Sequence, residues 1–478
     1  MGTRDLTNIT TNAALPKIIG STAPEAVTLG RSIDSGRQKL RYGGDQHILV
    51  FGPNGKGKST GIVIPHLLQS SGSSIVVVDP KGELAAVTAE YRRTLGRVVI
   101  LNPFALLANR RGYEDLKGCG FNPLARLDPK AESFNSDAAQ LAEALVTIEG
   151  KDPHWSQSAR SLIAALIMFE VLEARKARRI PSFANVRKML CDPVRPPDNV
   201  KGLEGSGLPK YAAAMAQSPY AGLKNKAAQF TEWTKEVQSI ASTAKIQTES
   251  FDDVEIARNV ALDDFDFRDL KREPVTVYLT LPPKMVLRHA KWLRLILTSA
   301  IQAVLRPRER GEPRVLFMLD EFFSLGHLES ISTVWALARG YGVQMMPILQ
   351  DLPQLKKLYP DMWETFIGMA GAVVSFGTND QTTGEWLSQR MGQKSRLSIT
   401  ASSGTSTSPD GEKSTSESLN YSTTNAPLRS AYHLYGLPKQ TAIVSLDGLS
   451  KVLRVELPPY FDIAEADMRA RDNPFHLG

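Results

Sequence analysis

The segment Gly52-Pro53-Asn54-Gly55-Lys56-Gly57-Lys58-Ser59, followed by Thr60, spaces glycines, a lysine and hydroxyls as a phosphate cradle requires. Glycine lets backbone N–H groups fold closely around phosphate oxygens and supplies the positive φ that a tight turn needs. In such a loop Lys58 reaches the β- and γ-phosphates of a nucleoside triphosphate, and Ser59 ligates Mg²⁺. The setting fits: His47-Ile48-Leu49-Val50-Phe51 reads as a buried strand before the loop, and a helix follows from about Lys58 to Gln69. That helix would point its N-terminus at the phosphates. A glycine-rich surface turn has no need of either neighbour.

A second candidate lies far along the chain. Val315-Leu316-Phe317-Met318-Leu319 reads as a buried strand that ends on Asp320-Glu321. Beside a phosphate loop, Asp320 would hold Mg²⁺ through its water shell and Glu321 would polarise the attacking water. By itself, an acidic pair in this place only caps the next helix. The strand Val343–Leu349 then ends at Gln350, which could sense the γ-phosphate or bond to a loop backbone. Arg339 lies between these strands, in Leu337-Ala338-Arg339-Gly340-Tyr341-Gly342. It could reach a neighbouring subunit's nucleotide as an arginine finger, or sit as a solvated cation at a helix end.

These residues need a scaffold. Further short apolar strands are read at 74–79, 97–102, 275–279, 371–376 and 442–446, separated by helical patterns. Continuous apolar strands alternating with helices imply an α/β fold whose mainly parallel sheet is covered on both faces. Between Phe121 and about Phe265 the pattern is helical, with helices expected over 133–147, 156–175 and 227–248, and Pro/Gly-rich turns at 193–197 and 202–209. The expected division is an N-terminal extension (1–40), a nucleotide-binding domain in two parts (41–125 and 263–478) and an inserted all-α domain (126–262). The Ser/Thr-rich stretch 398–424 is expected to be a loop.

Composition narrows the class. The chain has 478 residues, 42% hydrophobic and 22% charged, enough for a large core with an inserted domain. Its formal net charge of +7 favours acidic partners such as nucleic acid or anionic lipid, without choosing between them. The two cysteines, Cys119 and Cys191, form no metal-ligand spacing and no disulfide framework. The longest apolar runs fall short of the roughly 18 residues needed to cross a bilayer, and the polar N-terminus does not read as a signal peptide. The chain as given is read as soluble. The basic runs 173–179 and 306–310 are read as solvated faces.

With these residues in hand, the sequence resembles the coupling-protein ATPases of type IV secretion and conjugation, the TraG/TraD-like family, over about residues 41–461. The resemblance is carried by the loop itself, Asp79-Pro80-Lys81-Gly82-Glu83, Asn102-Pro103, Phe121-Asn122-Pro123-Leu124, Trp155, Leu319-Asp320-Glu321-Phe322, Arg339 and Leu349-Gln350-Asp351. It implies a RecA-like P-loop motor with an all-α insertion, binding ATP and Mg²⁺ and assembling as a homo-hexamer with sites at subunit boundaries. It implies that Lys58 and Ser59 hold phosphate and metal, Asp320 the metal, and Glu321 the water. Gln350 matches the γ-phosphate-sensing position and Arg339 the trans-acting arginine. Such proteins recruit a relaxase–DNA complex or protein effectors and deliver them to the secretion channel, at the cytoplasmic face of the bacterial inner membrane. Members usually begin with two membrane-spanning helices, which this sequence lacks, so membrane association is expected only through partners or a missing anchor. Two other readings remain: a DNA translocase of the FtsK/HerA type, which would not depend on a secretion channel, and a nucleotide-gated scaffold with negligible turnover.

Overall fold

A computed structural model describes residues 20–33, 38–148, 153–193, 207–407, 409–411, 413–449 and 452–475. The polar stretch up to residue 19 and most of the two Pro/Gly-rich turns expected near 195 and 205 lie outside them.

The strands are β1 (Val27–Ser32), β2 (Lys39–Tyr42), β3 (His47–Phe51), β4 (Ser74–Asp79), β5 (Arg97–Leu101), β6 (Val275–Thr280), β7 (Val315–Leu319), β8 (Val343–Leu349), β9 (Ala370–Ser375), β10 (Gln393–Thr407), β11 (Lys413–Pro427), β12 (Thr441–Leu446) and β13 (Leu453–Glu456). All but β10 and β11 form one 11-stranded sheet in the order β2-β1-β13-β12-β9-β3-β8-β7-β4-β6-β5. From β9 to β5 every pairing is parallel. From β9 outward through β12, β13, β1 and β2 every pairing is antiparallel.

The parallel strands are apolar on both faces because both faces are covered. Leu49, Phe51, Val76, Val78, Val99 and Leu101 point into one apolar cluster. Ile48, Val50, Ile75, Val77 and Ile100 alternate into another on the opposite face. The first cluster continues without a break into the helices between β5 and β6, taking in Phe134, Leu141, Ile163 and Leu166. Those helices include Phe134–Leu145, His154–Lys176, Phe183–Cys191 and Lys235–Gln247.

The structure departs from the sequence reading in three places. The stretch up to residue 40, expected as an extension, contributes β1 and part of β2 to the sheet edge. The strands are short and interrupted by a register shift at Gly30, where an added Cβ would meet Glu456 O at 2.6 Å, so their periodicity is weak. The single helix expected over 227–248 is broken: Ala221–Ala227 ends, and Thr234 caps a new helix by accepting the Val237 N–H. The Ser/Thr-rich stretch expected as a loop is a ribbon, with β10 and β11 antiparallel from Gln393↔Pro427 to Thr407↔Lys413. Its ladder is made by backbone, which needs no large apolar side chains, and threonine favours extended backbone.

Candidate functional site

The phosphate loop leaves β3 at Phe51 and is tied to the next strand by Gly52 N–H donating to Leu349 O (3.0 Å). Gly52 cannot carry a side chain: a Cβ there would lie 2.9 Å from Phe376 Cβ. Gly55 and Gly57 have φ of +77° and +91°, the left-handed region that glycine enters without strain. The turn Ser59–Val63 is wound wide, with Ile64 N–H returning to Ser59 O, before the α-helix Ile64–Gln69 begins. Pro65 has no N–H to return to Gly61, which favours the wider winding just before it.

Within the loop the Lys58 ammonium donates to Gly52 O (2.5 Å) and Pro53 O (3.2 Å). Burial holds this ammonium below its ordinary value, while Asp320 and Glu321 pull it back up. The same coupling appears from the other side. Asp320 is pushed up to about 6, by burial first and then by Glu321, with Lys58 opposing. Lys58 and the acidic pair, 262 positions apart at the nearer end (320 − 58), thus share one electrostatic site. Topology brings them together: β4, β7, β8 and β3 are parallel neighbours, so Asp79, the last residue of β4, and Asp320, Gln350 and Gly52, which follow the other three, all lie at the same ends of adjacent strands. This is the crevice where open α/β sheets bind ligands.

Glu321 has φ of +53°, uncommon for a residue with a side chain, and a tight turn Phe322–Leu325 starts on it. Its carbonyl accepts from Ser324 N–H (2.9 Å) and from Ser324 Oγ–H (2.8 Å). Gln350 is half-buried, and its backbone N–H donates to Gln354 Oε1 (2.9 Å). The backbone of Arg339 is placed away from these strand ends. It lies in the tight turn Ala338–Tyr341, ahead of the start of β8, and the Arg339 side chain lies outside the described residues. The length of β8, seven residues and so roughly 20 Å, separates that turn from Gln350.

The other sequence-flagged segments organise the surroundings. Asp79 is 1% exposed and accepts the Ala85 N–H (2.9 Å), capping the helix Glu83–Leu95. Burial pushes its carboxyl up to about 7. Asn102 folds its own loop, donating to Leu106 O and Leu116 O and accepting from Leu106 N–H. Asn122 does the same for the turn 123–126 and donates to Pro181 O. Each basic run is paired in part: Arg179 with Glu170, Lys176 with Glu173, Arg306 with Glu312.

Two further features complete the surroundings, the first within a segment quoted from the sequence without a role for its lysine and the second not singled out there. Lys81, exposed in the turn after β4, adds its charge to the environment of both Lys58 and Asp320. A cavity of about 710 Å³ opens beside Gly55, Lys56, Gly57 and Thr60, walled by Gln440 and by Tyr460, Phe461, Arg471 and Asn473 from the last described segment. That segment is fastened down by Asn473 donating to Glu83 Oε1 (2.7 Å), Arg471 to Ala86 O (3.0 Å) and Arg469 to Leu68 O (2.8 Å). Only the phosphate loop itself announced where this cavity would be.

Among the described residues no group of three or more His, Cys, Asp and Glu is placed to hold a metal ion, and no helix is long and apolar enough to cross a membrane.

Fold and loop together define an α/β protein of the P-loop NTPase class. The family profile described as Type IV secretory system Conjugative DNA transfer matches residues 9–476, and the chain belongs to that family. It is 30% identical over 375 residues to the conjugal transfer protein TraG of Escherichia coli, covering 74% of this chain and 56% of that protein. It is 28% identical over 361 residues to VirD4 of Rhizobium radiobacter, covering 74% of this chain and 49% of that protein. The chain thus spans about half the length of these relatives. Its fold is similar to that of the bacterial conjugative coupling protein TrwBdeltaN70 in complex with sulphate, with a TM-score of 0.60 and 19% identity over 87% of this chain and 86% of that one. A structure of the plasmid coupling protein TrwB in complex with ADP and Mg²⁺ gives a TM-score of 0.59 at 18% identity, over 87% and 85%.

Proposed function

We propose that this chain is an ATP-hydrolysing coupling protein that recruits relaxase–DNA or protein substrates and delivers them to a type IV secretion channel. Its working place is the cytoplasmic face of the bacterial inner membrane, and its working form is a homo-hexamer. The observation that carries the hydrolytic part is the shared site of Lys58, Asp320 and Glu321 at neighbouring strand ends. Family membership carries the transport part.

The residues fit a magnesium nucleotide. Gly52 leaves room that a Cβ would fill, and nothing lies within 4 Å of where a Cβ would stand on Gly55. Ser59 and Asp320 offer hard oxygen donors, and Mg²⁺ characteristically takes few protein ligands, completing its shell with phosphate and water. When bound, the ion supplies neutralisation of the transferring phosphoryl group. The backbone from Gly52 to Thr60 and the Lys58 ammonium bind and orient the phosphates. Lys81 adds a second cation to the same field. The cavity beside Gly55 and Lys56 has room for the nucleoside. Glu321 accepts a proton from water and orients it for attack, Gln350 senses the γ-phosphate, and Arg339 acts on a neighbouring subunit's site. The distance of Arg339's turn from its own chain's strand ends supports that last role. The helices between β5 and β6 serve as the substrate-selecting domain, inserted between the two parts of the motor.

ATPase rate, measured with and without DNA over a range of protein concentration, tests this reading. Turnover per subunit should rise with concentration as rings form, and DNA should stimulate it. No turnover under any of these conditions would leave a binding scaffold.

A further inference from the structure

Arg294 is 2% exposed in the helix Ala290–Val304, and its guanidinium donates to backbone carbonyls of two separate segments. Its Nε donates to Ala144 O (2.7 Å), and its Nη2 reaches Glu143 O (3.5 Å). Both belong to the last turn of the helix Phe134–Leu145, the first of the helices between β5 and β6. Helix C-termini leave carbonyls unpaired at the negative end of the dipole, so a buried cation is well placed there. On its other side Nη1 donates to Leu325 O (2.8 Å) and His327 O (2.7 Å). These carbonyls flank Gly326 in the loop that begins at Glu321.

That loop depends on outside support. Glu321 (φ +53°) holds left-handed backbone, which for a residue with a side chain persists only where the surroundings over-determine it, whereas Gly326 takes its φ of +67° without strain. Its far end is fixed by Tyr359, whose hydroxyl is bonded to Leu328, and Tyr359 stacks on Phe322. Its middle is fixed by Arg294. Burial pushes the Arg294 guanidinium down to about 10, with Tyr359, Arg160 and Glu143 the titratable groups around it. A buried guanidinium does not readily give up such bonds, because each orphaned donor carries its full desolvation cost. Its planar fork is rigid, so it passes a displacement of one pair of carbonyls to the other.

We propose that Arg294 is a positioning residue through which the helices between β5 and β6 set the loop carrying Glu321, so that displacement of the Phe134–Leu145 helix end alters hydrolysis without touching the phosphate loop. This rests on Glu321 being the water-polarising carboxylate. It gives substrate engagement at the inserted helices a physical route to the chemistry.

Hydrogen exchange on the wild-type chain, with and without a non-hydrolysable ATP analogue and Mg²⁺, is the first test. Protection should change in 322–328 and, together with it, in 138–146. No change in 138–146 overturns the inference. Arg294→Lys keeps the charge and loses the fork. It should bind the analogue with unchanged Kd, hydrolyse with kcat lowered about 10²-fold as for a misplaced catalytic group, and lose DNA stimulation. Its nucleotide-dependent protection should stay confined to 322–328. Wild-type kcat and stimulation in folded Arg294→Lys overturn the inference. If that variant does not fold, Gly326→Ala replaces it, since at φ +67° an alanine strains the turn between the two carbonyls that Arg294 holds. The same loss of kcat at unchanged Kd is expected, and an unaltered kcat is the overturning result. Full turnover in Glu321→Gln would instead overturn the functional reading, and this inference with it.

Discussion

Replacing Lys58 by Ala removes the cation that the loop folds around, and the structure sets the size of the effect. The ammonium donates to Gly52 O at 2.5 Å and Pro53 O at 3.2 Å, inside the same cradle that would hold phosphate. A hydrogen bond from a charged group is worth roughly 1.5–3 kcal/mol. At about 1.4 kcal/mol per tenfold, losing one such contact to phosphate raises Kd by about 10- to 100-fold. Turnover should fall further, by about 10²- to 10³-fold, because charge builds up on the phosphoryl oxygens during transfer. Fold stability should barely move. Burial already penalises this ammonium, so removing it relieves a cost while forfeiting two carbonyl contacts. The net change is expected within about 1 kcal/mol, a melting shift of a few degrees. Titration with a fluorescent ATP analogue, a phosphate-release assay and a thermal melt separate the three quantities. A variant that melts like wild type and hydrolyses ATP at the wild-type rate refutes the assignment of the loop.

Glu321→Gln should keep ATP binding and stall hydrolysis, since an amide cannot take a proton from water; native turnover by phosphate release would move the catalytic carboxylate elsewhere. Arg339→Ala and Lys58→Ala should each be inactive alone and regain partial activity when mixed, because some boundaries would pair an intact loop with an intact arginine. Full activity of Arg339→Ala by itself, or no recovery in demonstrably mixed rings, would return Arg339 to a helix-end cation. Burial raises folded Asp79 from 3.8 to about 7, so the folded state binds this proton more tightly than the unfolded chain. The associated stability is present below pH 4 and is lost as pH rises through 7. Asp79→Asn keeps the acceptor for Ala85 N–H and should therefore match wild type near pH 4 and exceed it at pH 8 in denaturant melts. Equal differences at both pH values would count against it.

The parallel half of the molecule was legible because its strands are buried on both faces, so runs such as Ile75–Val78 and Leu316–Leu319 carry their role in composition alone. The phosphate loop has a local signature for a related reason: a Cβ at Gly52 would meet Phe376, and the positive φ at Gly55 and Gly57 strains most other residue types. The antiparallel edge was not legible. β1, β2 and β13 are four to six residues long and mix polar with apolar side chains, and β1 and β2 join the sheet only through the pairing of β1 with the distant β13. The β10–β11 ribbon was misread for the complementary reason, that its pairing is made by backbone and its Ser/Thr side chains carry little signal.

By itself, then, the sequence offered candidates for phosphate and metal and determined that an α/β sheet would carry them, since glycine geometry and apolar runs are local properties. The order of the strands was decided only by the tertiary structure. It set β7 and β8 between β4 and β3, joined Lys58 electrostatically to Asp320 and Glu321, and left Arg339 far from its own loop. It also brought Tyr460 and Arg471 over the phosphate loop and Arg294 between two carbonyl pairs. Most of these relations join positions more than a hundred residues apart, and they form only when burial of both sheet faces fixes which strand lies beside which.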